Sequence, residues 1–432
     1  MNLEELDKKY IWHPYTQMRD ALLSKIRVIE RAEGFYLIDS EGNRYIDGVA
    51  SMWCNVWGHG KREIIDAIKE EIDRLQHSSL FGLSNDKAII LAEKLCKLTY
   101  MDKVFYSGDG SSAVEVALKM ALQYWINNKE KRKKVISLKN GYHGDTIGTM
   151  SIGYIEDFFS NYKQLLFDVK QITPPYIHRR VEMSDEDYIN HCIDVIEREL
   201  KDEPICLIME SGAQVAGGAL IYPKGYQSRV SKLCREYDTL FILDEIATGF
   251  GRLGNMIEFI AQDSRPDIVT FGKMLTAGYL PLAATLTTEK IFNAFLGEYH
   301  EHKQLYHGHT FTGNPLACVA ALSNLDLYEK YNLIEDVRRK ERIIASRLEE
   351  FKSDIIEEIR HKGMMIGIQL KNIRVGKAIN YLIMEEGFKR GAYIRPLGNV
   401  MMLMPPLSID DCVLEKLLDI AYNIIRDIEK EV

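Results

Sequence analysis

The sequence predicts an α/β fold: a large domain built around a mostly parallel sheet, followed by a smaller α+β domain. Three observations carry this reading. From Lys61 to about residue 330, short apolar runs alternate with stretches of helical periodicity. Past Tyr331 the chain turns richer in charge and the alternation stops. Two of the apolar runs end on ionisable residues, one at Asp244–Glu245 and one at Gly272–Lys273. Adjacent strands that end this way bring an acid and an amine to one rim of the sheet, where ligands of open α/β proteins sit.

The elements follow in order. Residues 1–60 read as irregular, with Trp12, His13 and Tyr15 gathered around Pro14. Within them YLIDSEGNRYIDG predicts a hairpin turning at 40–43, and DGVASMWCNVWGHG a glycine-ended loop that carries Trp53 and Trp57. These aromatics suit packing anchors and pocket walls alike. Helical periodicity covers 62–75, 86–98 and 112–125. Buried strands are expected at 104–106, 135–138, 206–209, 240–243, 268–271 and 282–286. The segment SRVSKLCREYDT before LFILDE predicts the crossover helix that a parallel strand needs. Residues 336–363 predict one long amphipathic helix, followed by strands at 364–370 and 392–395 and a closing helix over 409–428. The expected division is 1–60 as an N-terminal segment belonging to the small domain and substrate pocket, 61–330 as the large domain and 331–432 as the small one.

Composition narrows the function classes. The chain of 432 residues is 46% hydrophobic and 27% charged, ordinary for a soluble globular protein. A net charge of −8 argues against a nucleic-acid partner. No apolar run is long enough to span a membrane, and the first residues lack the apolar core of a secretory signal. Seven scattered cysteines with no C-x-x-C pair point to a reduced, cytoplasmic setting rather than a disulfide or zinc framework.

Three segments carry chemistry. VFYSGDGSSAVEVALKMAL reads as strand, Gly/Ser turn and helix, which leaves backbone N–H groups at Gly110 and Ser111 facing outward on a helix N-terminus. That suits a phosphate; without a ligand the same pattern is a plain serine cap. It matches neither the P-loop nor the dinucleotide pattern. The strand end VISLKNGYHGDTIGT delivers Tyr142, placed either to cover a flat ring or simply to pack in a loop. Lys273 sits between IVTFG and MLTAG, where apolar neighbours disfavour the charged amine and prepare it as a Schiff-base nucleophile. Asp244 would suit the ring nitrogen of pyridoxal phosphate, keeping the ring protonated as an electron sink.

DEIATGFGRLG, the TFGKML lysine segment and HGHTFTGNPLACVAAL resemble the class III, fold-type I pyridoxal-phosphate aminotransferases over nearly the whole chain. The resemblance implies a seven-stranded, mostly parallel sheet and pyridoxal 5'-phosphate as cofactor. It implies Lys273 as the cofactor-linked lysine, Asp244 at the ring nitrogen, Tyr142 and Ile246 on the two ring faces, and Gly110 and Ser111 at the phosphate. Thr310 would reach the phosphate of a neighbouring subunit, making a homodimer with sites at the interface. Tyr15, Trp53, Arg252, His309 and Arg395 would bind substrate, with Arg395 holding a carboxylate. HPYTQM, DEIATGFGRLG and IRPLGNVMMLMPP further resemble the biotin-pathway branch of the family, which aminates 8-amino-7-oxononanoate (KAPA) to 7,8-diaminononanoate.

Two departures bear on the amino donor. Members that use S-adenosylmethionine carry a Trp-Trp pair where this chain has Met52–Trp53, and a tyrosine where it has Met402. Both positions are expected to line the donor pocket; adenosylmethionine is the default donor, and lysine, used by some members of the family, is the alternative. Rival readings are a 4-aminobutyrate- or ornithine-type aminotransferase, an aminomutase of the same fold, and a catalytically inactive binding protein.

Overall fold

The computed structural model describes residues 2–176, 184–371 and 379–430. Its centre is a seven-stranded sheet: β1 (Lys103–Ser107), β2 (Val135–Leu138), β3 (Lys170–Ile172), β4 (Cys206–Glu210), β5 (Leu240–Asp244), β6 (Ile268–Phe271) and β7 (Ala283–Thr287). The spatial order is β1-β7-β6-β5-β4-β2-β3. Only β7 runs against its neighbours, pairing antiparallel with β6 and β1. Six carboxyl ends and the start of β7 therefore share one rim.

Strand β5 displays the logic of the sheet. All five residues of LFILD are buried, and side chains alternate between faces. Leu240 and Ile242 pack with Val114, Ala117, Ala121 and Trp125 of α1 (Gly110–Asn127). Phe241 and Leu243 join the opposite core with Val230 and Cys234 of α2 (Tyr226–Glu236), the crossover helix expected before this strand. Each such buried side chain contributes roughly 1.5–3 kcal/mol relative to exposure. The continuous apolar run is what a strand covered on both faces requires.

The seventh strand, β3, was not expected from its residues. It is three residues at the sheet edge, KQI, partly exposed and without an apolar run. Residues 1–60 are also more regular than read. Helices form at Leu3–Tyr10 and Met18–Leu23, and the first is closed by a capping box between Asn2 and Glu5. The expected hairpin is present as Tyr36–Asp39 and Arg44–Asp47, its turn held by Asp39 Oδ1, which accepts from Glu41 N and Asn43 N at 3.0 and 2.8 Å. A strand at Ile29–Glu33 joins it on one side and Ala392–Tyr393 on the other.

The long helix expected over 336–363 is a correction. The helix spans Leu333–Leu348, and Ile356–Lys362 is instead a strand paired antiparallel with Met365–Leu370 across Gly363, whose φ is +57°. A ladder of backbone hydrogen bonds outweighs the amphipathic period that continues through these residues. A third strand, Val400–Leu403, completes this sheet, and helix Ile379–Lys389 was not foreseen. The closing helix α3 (Asp411–Lys430) buries Leu414, Leu417, Leu418, Ala421, Ile424, Ile425 and Ile428 at the spacing of one face. Among the described residues no helix is long and apolar enough to cross a membrane.

Candidate active site

The shared rim opens into a cavity of about 370 Å³. Strand β1 hands over to α1 through Gly108 and Asp109, and the turn Gly110–Ser111 forms one wall. Asp109 caps the helix, its Oδ1 accepting from Ser112 N at 2.9 Å. The turn lies hard against Ile246: a Cβ on Gly110 would fall 2.9 Å from Ile246 Cδ1. Across from it Gly144, at φ +127°, approaches so closely that a Cβ there would overlap Ser111 Oγ at 1.9 Å. Ser111 Oγ accepts from Asp145 N at 3.2 Å.

The polar floor comes from the ends of β4 and β5, where Glu210 and Asp244 sit side by side in register. Asp244 is 4% exposed, yet both oxygens have partners: Oδ2 lies 2.7 Å from His143 Nδ1, and Oδ1 accepts from Ile246 N at 2.9 Å. Glu210 accepts from Tyr142 N at 3.1 Å and Val215 N at 2.9 Å, while burial pushes its carboxyl up to about 7. Lys273 follows β6, partly accessible at the cavity it lines, with its backbone at φ +40°. Desolvation pushes its amine below the usual value, against the pull of the Asp244 and Glu210 carboxylates. Its Nζ stands 5.5 Å from the centre of the Trp53 ring.

Lys273, Asp244, Tyr142, Gly110, Ser111, Ile246 and Trp53 thus meet around one space. Tyr15 stands outside the cavity lining: its hydroxyl bonds to Asp145 Oδ1, and Tyr142 OH donates to Oδ2 of the same carboxylate at 2.9 Å. Arg395 is also outside the cavity lining; its Nη1 lies 3.3 Å from Sδ of Met52, the neighbour of Trp53. His309 packs beside Gly108, and Thr310 is exposed and off the cavity of its own chain.

Arg252 and Met402 also lie elsewhere than expected. Arg252 is fully buried and does not line the cavity; its Nη1 donates to Met364 O at 3.2 Å and Pro405 O at 2.8 Å, so it ties the loop after Asp244 to the C-terminal region. Burial pushes its guanidinium down to about 10. Met402 is likewise fully buried, packed in one cluster with Trp53 rather than lining the cavity. His143, Glu210 and Asp145 also belong to this site, beyond the residues expected to form it. The charged ends of two more strand-rim segments, LIME and GYHGD, were the available signal.

The residues suit pyridoxal phosphate. A helix N-terminus with free N–H groups at Gly110 and Ser111 faces the cavity as an anion cradle. A buried carboxylate with one hydrogen-bond partner on each oxygen and room to accept another, and a desolvated amine, occupy the other walls.

The model of the class-III aminotransferases matches residues 19–425. The chain belongs to this family. It is 46% identical to the adenosylmethionine-8-amino-7-oxononanoate aminotransferase of Methanocaldococcus jannaschii over 98% of each chain, and that enzyme's crystal structure superposes with a TM-score of 0.92. It is 42% identical to the enzyme of the same name from Aquifex aeolicus, covering 100% of this chain and 98% of the relative. A PLP-bound amine transaminase from an uncultivated Pseudomonas species is 31% identical, with 97% and 98% of the chains covered and a TM-score of 0.91.

Proposed function

We propose that this aminotransferase binds pyridoxal 5'-phosphate and moves an amino group from a small donor to 8-amino-7-oxononanoate, giving the 7,8-diamine of biotin biosynthesis. The single observation that carries the reading is the Asp244–Lys273 pair at one cavity, in a chain 46% identical over its length to an enzyme of that name.

The bound cofactor would supply a carbonyl for the incoming amine and a ring that takes up the electron pair left when a proton departs. The chain's own residues do the rest. Lys273 Nζ, its charge disfavoured by burial, is suited to take a proton from the carbon bearing the nitrogen and to return one. Asp244 would hold a ring N–H proton, while His143 Nδ1 and Ile246 N fix the carboxylate that accepts it. Gly110 and Ser111 would hold the phosphate, and Tyr142 and Ile246 would cover the ring and exclude water. Arg395 is the carboxylate partner for the acceptor's distal end. Trp53 and Tyr15 bound the space for its apolar chain.

Thr310, exposed in the single chain, fits service at a neighbouring copy's phosphate, and so a homodimer with shared sites. Adenosylmethionine is the donor named in the relatives. Met52, beside the lining residue Trp53 and a flexible thioether in place of a flat ring, favours lysine as the second reading. The test is a donor panel. Purified protein is incubated with the oxo acid and either adenosylmethionine or lysine, and the diamine is followed by mass spectrometry. Diamine with one donor assigns it; diamine with neither reduces the reading to an aminotransferase of other ω-amino acids.

A further inference from the structure

The wall that carries Trp53 is built from an improbable piece of backbone. Ala50, Ser51, Met52 and Trp53 have φ of 49°, 48°, 69° and 72°, and none is glycine. Ser51 and Met52 have ψ of 50° and 48°, so the segment is a turn of left-handed helix. L-residues visit this region singly, and a run of four is disfavoured at each step. Such strain persists only where the surroundings over-determine it, and it gathers at ligand clamps.

The over-determining group is Asp47. This carboxylate is fully buried at the end of the hairpin strand. Its Oδ1 accepts from Ser51 N at 2.9 Å, its Oδ2 accepts from Ser51 Oγ at 2.8 Å, and His59 Nε2 lies 3.1 Å from the same Oδ2. Trp53 N closes the turn onto Val49 O at 2.7 Å, and the Cys54 thiol donates to Ser51 O at 3.1 Å. The turn sets the positions of two side chains, Trp53 and Met52. Trp53, 6% exposed, lines the cavity 5.5 Å from Lys273 Nζ, and Met52 Sδ lies 3.3 Å from Arg395 Nη1.

We propose that Asp47, backed by His59, is a positioning residue for substrate: it holds the left-handed turn that presents Trp53 and Met52 to the long apolar acceptor, while touching neither cofactor nor reacting atoms. The inference deepens the proposed function and rests on it for the identity of the acceptor. It predicts a selective defect. Without Asp47 the turn relaxes toward ordinary φ, the Trp53 wall retreats, and long-chain acceptors lose contacts that a short amine never made.

The experiment compares Asp47→Ala with the wild-type holoenzyme on two substrates, the oxo acid and a short primary amine donor. Expected is a KM for the oxo acid raised roughly tenfold, the step that a single lost contact set produces, with the single-turnover rate of the half-reaction with the short amine within about twofold. Glycine adopts φ > 0 freely, so adding Ser51→Gly to Asp47→Ala should return most of the lost KM. Thermal melting of each variant separates folding from positioning. Equal losses on both substrates, a KM for the oxo acid that does not move, or no rescue by Ser51→Gly would each overturn the assignment. The wild-type rate with 8-amino-7-oxononanoate, measured first, tests the proposed function by itself. The variant ratio can be read on any long-chain oxo acid that the wild type turns over.

Discussion

Gly144 gives the sharpest test of the phosphate turn, because its substitution is worked out from distances alone. At φ +127° it occupies backbone space that L-residues rarely use. A Cβ there would lie 1.9 Å from Ser111 Oγ, 2.6 Å from Ser111 Cβ and 2.9 Å from Ser111 Cα. Rotating the serine side chain relieves only the first of these, so Gly144→Ala must push the turn itself. The backbone term costs about 1–3 kcal/mol of folding stability. The contact term, about 1–3 kcal/mol if it is relieved by displacing the turn, corresponds to a roughly 5- to 150-fold weaker hold on the cofactor. The assay is titration of pyridoxal phosphate into apoenzyme, followed by its absorbance, beside thermal melting of the apo form. The double variant Gly144→Ala, Ser111→Gly removes the Oγ and Cβ clashes and should recover part of the lost melting temperature. A cofactor Kd for Gly144→Ala within about twofold of wild type would refute the placement of the phosphate at Gly110–Ser111.

Three further outcomes follow from the same site. Lys273→Ala should abolish turnover and the absorbance of the linked cofactor while leaving the melting temperature of the apo form close to wild type; an unchanged spectrum would sink the central assignment. Asp244→Asn should lower kcat by roughly 10²–10⁴-fold, the range in which proton-managing groups act, and a kcat near wild type would exclude Asp244 as the ring partner. Glu210 predicts a pH dependence. Its folded pKa of about 7 lies above the ordinary 4.5, so between these values the folded chain keeps a proton that the unfolded chain has released. Its stabilising contribution is whole below 4.5 and is lost as pH rises through 7, about 3 kcal/mol in all. Denaturant unfolding of the apo form from about pH 5 to about pH 8 should show this slope in wild type and a flatter one in Glu210→Gln; identical slopes would contradict it.

The sequence by itself determined most of the sheet and the rim that carries Asp244 and Lys273. Strands buried on both faces must be continuously apolar, so 135–138, 240–243 and 268–271 stand out, and a charged residue that ends such a run has to face the rim. That is why Asp244 and Lys273 are legible in the residues alone. Local rules failed where the signal was short or shared between periods. The edge strand Lys170–Ile172 has no apolar run, and Ile356–Lys362 continues a helical period into a strand that only its partner Met365–Leu370 selects.

Tertiary structure alone decided which polar groups meet. His143 and Asp244 are 101 residues apart and hydrogen-bonded, Glu210 joins them through strand register, and Arg252, read as a pocket residue, is spent on buried carbonyls. The left-handed turn at Ala50–Trp53 is the extreme case. No propensity predicts φ > 0 for Ala, Ser, Met and Trp in succession, because the conformation is imposed by a buried carboxylate and its surroundings rather than chosen by those residues.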